Sequence, residues 1–84
     1  MIPTYHAKER WAERFPGLDM ATTYLRARAR VGRKTRKAIR EACPVHSGLL
    51  TGTFQGIYYL ITTDDIVFVM TQPEKVITVF QLAR

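Results

Sequence analysis

One change of hydrophobic period, near the middle of the chain, restricts the fold more than any other feature. Up to Cys43 the apolar residues recur at helical spacing, and from about Thr53 they follow the spacing of strands. The pattern predicts an α+β protein in the order α-α-β-β-β, with two N-terminal helices packed on a three-stranded antiparallel meander. At 84 residues there is room for one domain, 1–84, with one modest core. It divides into a helical half, 4–43, and a sheet half, 53–82. No internal repeat, linker or low-complexity tract interrupts it.

The first helix is predicted over 4–15. Pro3 and Thr4 start it, because proline tolerates a first turn and threonine caps one. Pro16-Gly17 stops it. Ala7, Trp11 and Phe15 make its buried stripe. His6, Arg10 and Arg14 form a second stripe beside the first, while Glu9 and Glu13 face the other way.

The second helix starts at the N-cap Asp19 and extends to Cys43, with Pro44 ending it; Gly32 either lies within it or splits it in two. As one helix it sorts by character. Ala21, Tyr24, Leu25, Val31, Thr35, Ala38, Ile39 and Ala42 share an arc, and only Arg28 intrudes on it. Arg26, Arg30, Arg33, Lys34, Arg36, Lys37 and Arg40 lie opposite. That sorting survives a break at Gly32 only if the two pieces stay roughly coaxial.

Residues 44–52 read as a loop. Strands follow over 54–62, 66–71 and 76–82, with tight turns at Asp64-Asp65 and at 72–75. Short connections make the meander antiparallel. Ile57, Tyr59 and Ile61 share one face of the first strand, Tyr58 and Leu60 the other, and one face of the sheet is expected to pack on the helices. Of Tyr58 and Tyr59, one belongs to the core and the other is free to stack on a base.

Thirteen Lys and Arg against seven Asp and Glu give a net charge of +6. Eight of the thirteen fall between Arg26 and Arg40, a stretch without an acidic residue. A merely solubilising helix face normally mixes signs, because like charges four residues apart repel by roughly a few tenths of a kcal/mol. Arg26–Arg30, Arg30–Lys34, Arg33–Lys37 and Arg36–Arg40 are all such pairs. The repulsion is answered by a polyanion outside the chain, and phosphate backbones fit best, RNA ahead of DNA. An anionic membrane fits less well, since the apolar arc lacks the Trp, Phe and Leu of a lipid-seeking face.

Other classes are narrowed by what the chain contains. Cys43, alone, forms no internal disulfide, and it suits a small buried residue better than a nucleophile. The first residues lack a signal peptide's apolar core, and no run reaches the roughly 18 apolar residues of a membrane span. The expectation is a cytoplasmic protein. Two distant histidines and one cysteine make no metal set, and no cofactor motif is present. His46, in the loop, is a secondary candidate for acid–base work.

The sharper chemical possibility lies on the first helix. Metal-free cleavage of RNA needs a base, an acid and cations around a charged transition state. His6 supplies the acid or base, Arg10 and Arg14 the cations, and Thr78 a hydroxyl for a phosphate oxygen. The N-terminal His-Ala-x-x-Arg-x-x-x-Arg helix (His6, Ala7, Arg10, Arg14) with the C-terminal Val-Ile-Thr-Val strand (Val76, Ile77, Thr78, Val79) resembles the barnase–colicin–RelE-like superfamily. Those proteins are small metal-independent ribonucleases, often toxins, with N-terminal helices before an antiparallel sheet. The resemblance implies His6, Arg10 and Thr78 as the matching positions. The long basic stretch has no counterpart in those compact domains, and small basic proteins of this kind also look like those carried by bacteriophages.

Three functional expectations therefore stand. The first is a nucleic-acid-binding protein that grips phosphates with Arg26, Arg30, Arg33, Lys34, Arg36, Lys37 and Arg40. The second is a ribonuclease using His6, Arg10, Arg14 and Thr78. The third is an interaction protein or inhibitor that docks on an acidic protein.

Overall fold

The computed structural model describes residues 1–29, 32–42, 57–72 and 74–83. Its elements run β1 (Ile2–Pro3), α1 (Tyr5–Arg14), α2 (Met20–Arg26), α3 (Arg33–Ala42), β2 (Tyr58–Ile61), β3 (Ile66–Thr71) and β4 (Lys75–Gln81). The α+β class agrees with the change of period. The element count does not: the described residues form three helices and a four-stranded mixed sheet, ordered β1-β4-β3-β2.

Thr4 begins α1 and ties it to the sheet. Its Oγ1 accepts from the Ala7 N–H at 3.2 Å, and its hydroxyl is shared between the carbonyls of Val76 (2.9 Å) and Ile77 (3.2 Å). The Phe15 N–H closes the helix onto the Trp11 carbonyl at 2.8 Å. Ala7, Trp11 and Phe15 are buried, as their spacing predicts. The Trp11 indole also donates to the Leu18 carbonyl at 2.8 Å, which satisfies its one polar atom and pins the turn into α2. Asp19 caps α2, accepting from the backbone N–H of Thr22 at 2.9 Å.

Of the two possibilities for 19–43, one helix or two, the described residues form two, α2 and α3, and the break reorganises the molecule. β2 is an edge strand whose backbone groups need partners. Arg28 supplies them: its N–H donates to the Ile61 carbonyl at 2.9 Å, and the Ile61 N–H donates back at 3.0 Å. The chain thus leaves α2 on one face of the sheet, touches the β2 edge, and enters α3 on the other face.

Two buried clusters record this. Ala7, Trp11 and Phe15 pack on Leu60, Ile66, Phe68, Met70, Val76 and Val79, with Met20 and Tyr24 of α2 alongside. Phe68 is the hub, 5.7 Å from the Trp11 ring and 5.6 Å from the Tyr24 ring. On the opposite face, Ile39 of α3 packs with Tyr59, Val67, Val69, Ile77, Phe80 and Leu82. Helices on one face only would leave that second cluster open to water, so the expected two-layer arrangement is corrected to three layers. Every residue of β3 is buried, as suits a strand covered on both sides. Tyr59 is buried in the second cluster and Tyr58 is half-buried against the first, so both tyrosines serve packing.

Both hairpin connections are short, four residues between Ile61 and Ile66 and three between Thr71 and Lys75. Each finishes in the left-handed region, at Asp65 (φ 63°) and Glu74 (φ 59°). The Asp65 N–H bonds to the Thr62 carbonyl at 3.0 Å, and the Thr62 hydroxyl accepts from Ile66 N–H at 3.1 Å. β1 is parallel to β4, with Ile2 N–H on the Glu74 carbonyl and Thr4 N–H on the Val76 carbonyl. At two residues it is too short to announce itself by period.

β4 departs from strict alternation. Val69 pairs with Thr78 but Met70 with Val76, leaving Ile77 as an extra residue in a bulge. Val76 and Val79 consequently face α1, whereas Ile77, Thr78 and Phe80 turn toward α3. Expectations for 44–52, for the start of the first strand at 54–56, and for Arg30, Val31, Cys43 and His46 lie outside the described residues.

Candidate nucleic-acid interface

α3 is ten residues long and half of them are cations: Arg33, Lys34, Arg36, Lys37 and Arg40, all exposed. Its contact with the sheet is narrow, with Ile39 buried and Thr35 and Ala38 half-buried. At about 100° per residue, Arg33, Arg36, Lys37 and Arg40 fall in an arc of roughly 100°, centred opposite that contact stripe. The four side chains form the outermost ridge of the helix, and Lys34 lies on its flank. Among the described residues no carboxylate comes within ion-pairing distance of any of the five. The first turn of α3 has no acidic residue to offset its cations, while Arg40 suits the C-terminal turn.

The remaining cations of the basic stretch are separated from this ridge. Arg26 ends α2, on the α1 side of the sheet, where a cation suits the helix C-terminus. It stands 4.0 Å from Asp64 in the β2–β3 turn, so its charge is answered from within the protein. Arg28 is exposed, but its backbone is committed to the β2 edge. The continuous seven-residue basic face expected for one helix is therefore divided. A signal for this lay in the sequence: Ala27-Arg28-Ala29-Arg30 alternates with period two, the pattern of a charged edge strand, inside a stretch that also sorts helically.

The α1 stripe is occupied by structural contacts. Arg10 pairs with Glu13 at 2.8 Å on the surface. Arg14 donates through Nη1 to the Val79 carbonyl at 2.8 Å, fastening the end of α1 to β4. His6 is half-buried; its Nε2 is shut away from solvent and meets no hydrogen-bond partner among the described residues. Thr78 is 4% exposed and, opposite Val69, shares the face that packs on α3. A strand of strict period two would carry Thr78 on the same face as Val76, toward α1; the bulge reverses it. The structure thus brings His6, Arg10 and Arg14 onto one helix and does not bring the Thr78 side chain to them.

Surface hollows among the described residues include two that border α1. One, about 410 Å³, is walled by Pro3, Lys8, Trp11, Leu18 and Met20. The other, about 600 Å³, lies between Arg14, Phe15, Ala42, Phe80 and Gln81. Neither is lined by His6, Arg10 or Thr78. Among the described residues no three His, Cys, Asp or Glu side chains gather as a metal-ligand set. No described helix is long and apolar enough to cross a membrane. Comparison of the chain with models of protein families, with characterised proteins and with solved structures finds no match.

Proposed function

We propose that this protein binds nucleic acid without catalysis, holding phosphates with the outward cations of α3. One observation carries the reading: five exposed cations on a ten-residue helix, none within ion-pairing distance of a described carboxylate. Such a helix repels itself in isolation. Bound phosphates remove the repulsion, and the counterions they release supply favourable entropy. The ribonuclease reading draws less support, because two of its cations are engaged within the fold and its hydroxyl faces the other side of the sheet. A cytoplasmic location goes with this reading and with the lone Cys43.

The test is the salt dependence of binding, measured by fluorescence anisotropy with labelled nucleic acid. Five phosphate contacts give a slope of log K against log salt of about −4.5 on duplex DNA and about −3.5 on single strands. Replacing all five α3 cations by Gln is expected to abolish most of that slope. Binding to polyglutamate with none to nucleic acid would move the reading to an acidic protein partner. RNA cleavage in EDTA that disappears in His6→Ala would reinstate catalysis.

A further inference from the structure

We infer that α3 is a recognition helix for the major groove of B-form duplex DNA, entered by the ridge of Arg33, Arg36, Lys37 and Arg40. The inference rests on the nucleic-acid reading above and narrows it to one kind of target.

Shape makes the first argument. The cations sit on the convex crest of a helix, not in a cleft that would track a flexible strand. Arg33 and Arg40 are seven residues apart, so the ridge is about 10 Å long. A helix with its side chains is roughly 10–12 Å across, which matches the B-DNA major groove at about 12 Å. The A-form RNA duplex has a deep, narrow major groove that a helix cannot enter. The inference therefore puts duplex DNA ahead of RNA, the opposite order to the sequence expectation.

The second argument comes from the aromatic residues. Single strands are held by bases stacking on exposed aromatic rings beside a basic track. Among the described residues the large exposed apolar side chains are Ile2, Tyr5, Leu18 and Leu25, none of them on α3. Leu25 belongs to α2 and Tyr5 to α1, which pack on the opposite face of the sheet from α3. Tyr59, on the α3 side, is buried. Among the described residues, the ridge offers charge and hydrogen-bond donors without a stacking platform.

The third argument is chemical. Three of the four ridge residues are arginine. A guanidinium fork matches guanine O6 and N7 in the major groove, and it also binds phosphate in bidentate fashion. A ridge aimed straight out from the buried stripe reaches the groove floor, while Lys34 on the flank is placed for a phosphate wall.

The test uses the full chain and three probes of one G·C-containing sequence: a DNA duplex, an RNA duplex and a DNA single strand. Anisotropy at fixed salt is expected to show the DNA duplex bound at least tenfold tighter than the other two. Methylating guanine N7 in the DNA duplex beforehand is expected to weaken binding by a similar factor, because that atom lies in the major groove. Arg36→Gln with Arg40→Gln is expected to remove most of the preference for unmethylated duplex. Equal or tighter binding of the RNA duplex or the single strand, or indifference to N7 methylation, would overturn the groove inference and leave the nucleic-acid reading standing. Failure to bind any of the three with salt dependence would overturn both.

Discussion

Ile39 has no exposed surface and is the side chain by which α3 enters the second cluster. Its α3 neighbours facing the sheet, Thr35 and Ala38, are small and only half-buried. Ile39→Ala is therefore expected to cost about 2–4 kcal/mol in urea unfolding, and Ile39→Val about 1 kcal/mol. Asp19 gives a prediction in pH. Hydrogen bonds from the Thr22 hydroxyl and then the Thr22 backbone N–H hold its carboxyl below the ordinary value of 3.8. A carboxyl with a lowered folded pKa contributes stability that is present above its unfolded value and disappears as pH falls through the folded one. The melting-temperature gap between the protein and Asp19→Ala should thus be constant from neutral pH down to about pH 5. It should narrow below pH 4 as the cap becomes protonated. The same scale decides which way Thr78 points: one extra residue in β4, Ile77, turns it to the α3 face of the sheet.

Among the elements, α1 was the most legible, since its cap, buried stripe and stop all act within a few residues of one another. α2 and α3 were harder. Their residues sort on one continuous helix, and local propensity only weakly opposes an unbroken path through Gly32. What separates them is the need of the β2 edge for backbone partners and of the second sheet face for cover. Gly32 precedes α3 and accepts the Arg36 N–H at 2.9 Å, the geometry of a helix entry. A Cβ there would meet nothing within 4 Å, and its φ lies outside the left-handed region. Gly32→Ser is accordingly expected to stabilise the protein by a few tenths of a kcal/mol, roughly the gain of a side-chain cap over glycine. Circular dichroism melts of the two proteins measure it. A destabilised variant would show that the entry to α3 needs glycine for another reason.

At the scale of the molecule, charges with structural work and charges left outward are segregated. Arg14 fastens α1 to the β4 backbone, whereas Arg36 on α3 touches no described partner. Arg14→Met is expected to lose about 1 kcal/mol, or roughly 4–8 °C in melting temperature, with the salt slope of binding unchanged. Lys34→Gln, which removes another outward α3 cation and the one placed for a phosphate wall, is expected to leave the melting temperature level or slightly raised and to reduce the slope by about 0.9 on duplex DNA. Melts and anisotropy on the two variants check this double dissociation. The helical and extended halves, the caps at Thr4 and Asp19, the turns between the last three strands and the presence of an unbalanced basic stretch were readable along the chain, because each depends on neighbours within a few residues. The face of the sheet that each helix covers and the direction of Thr78 were not, and the division of the basic stretch was signalled but left undecided. They follow from edge pairing, a bulge and burial of a second sheet face, which are contacts between residues distant in sequence.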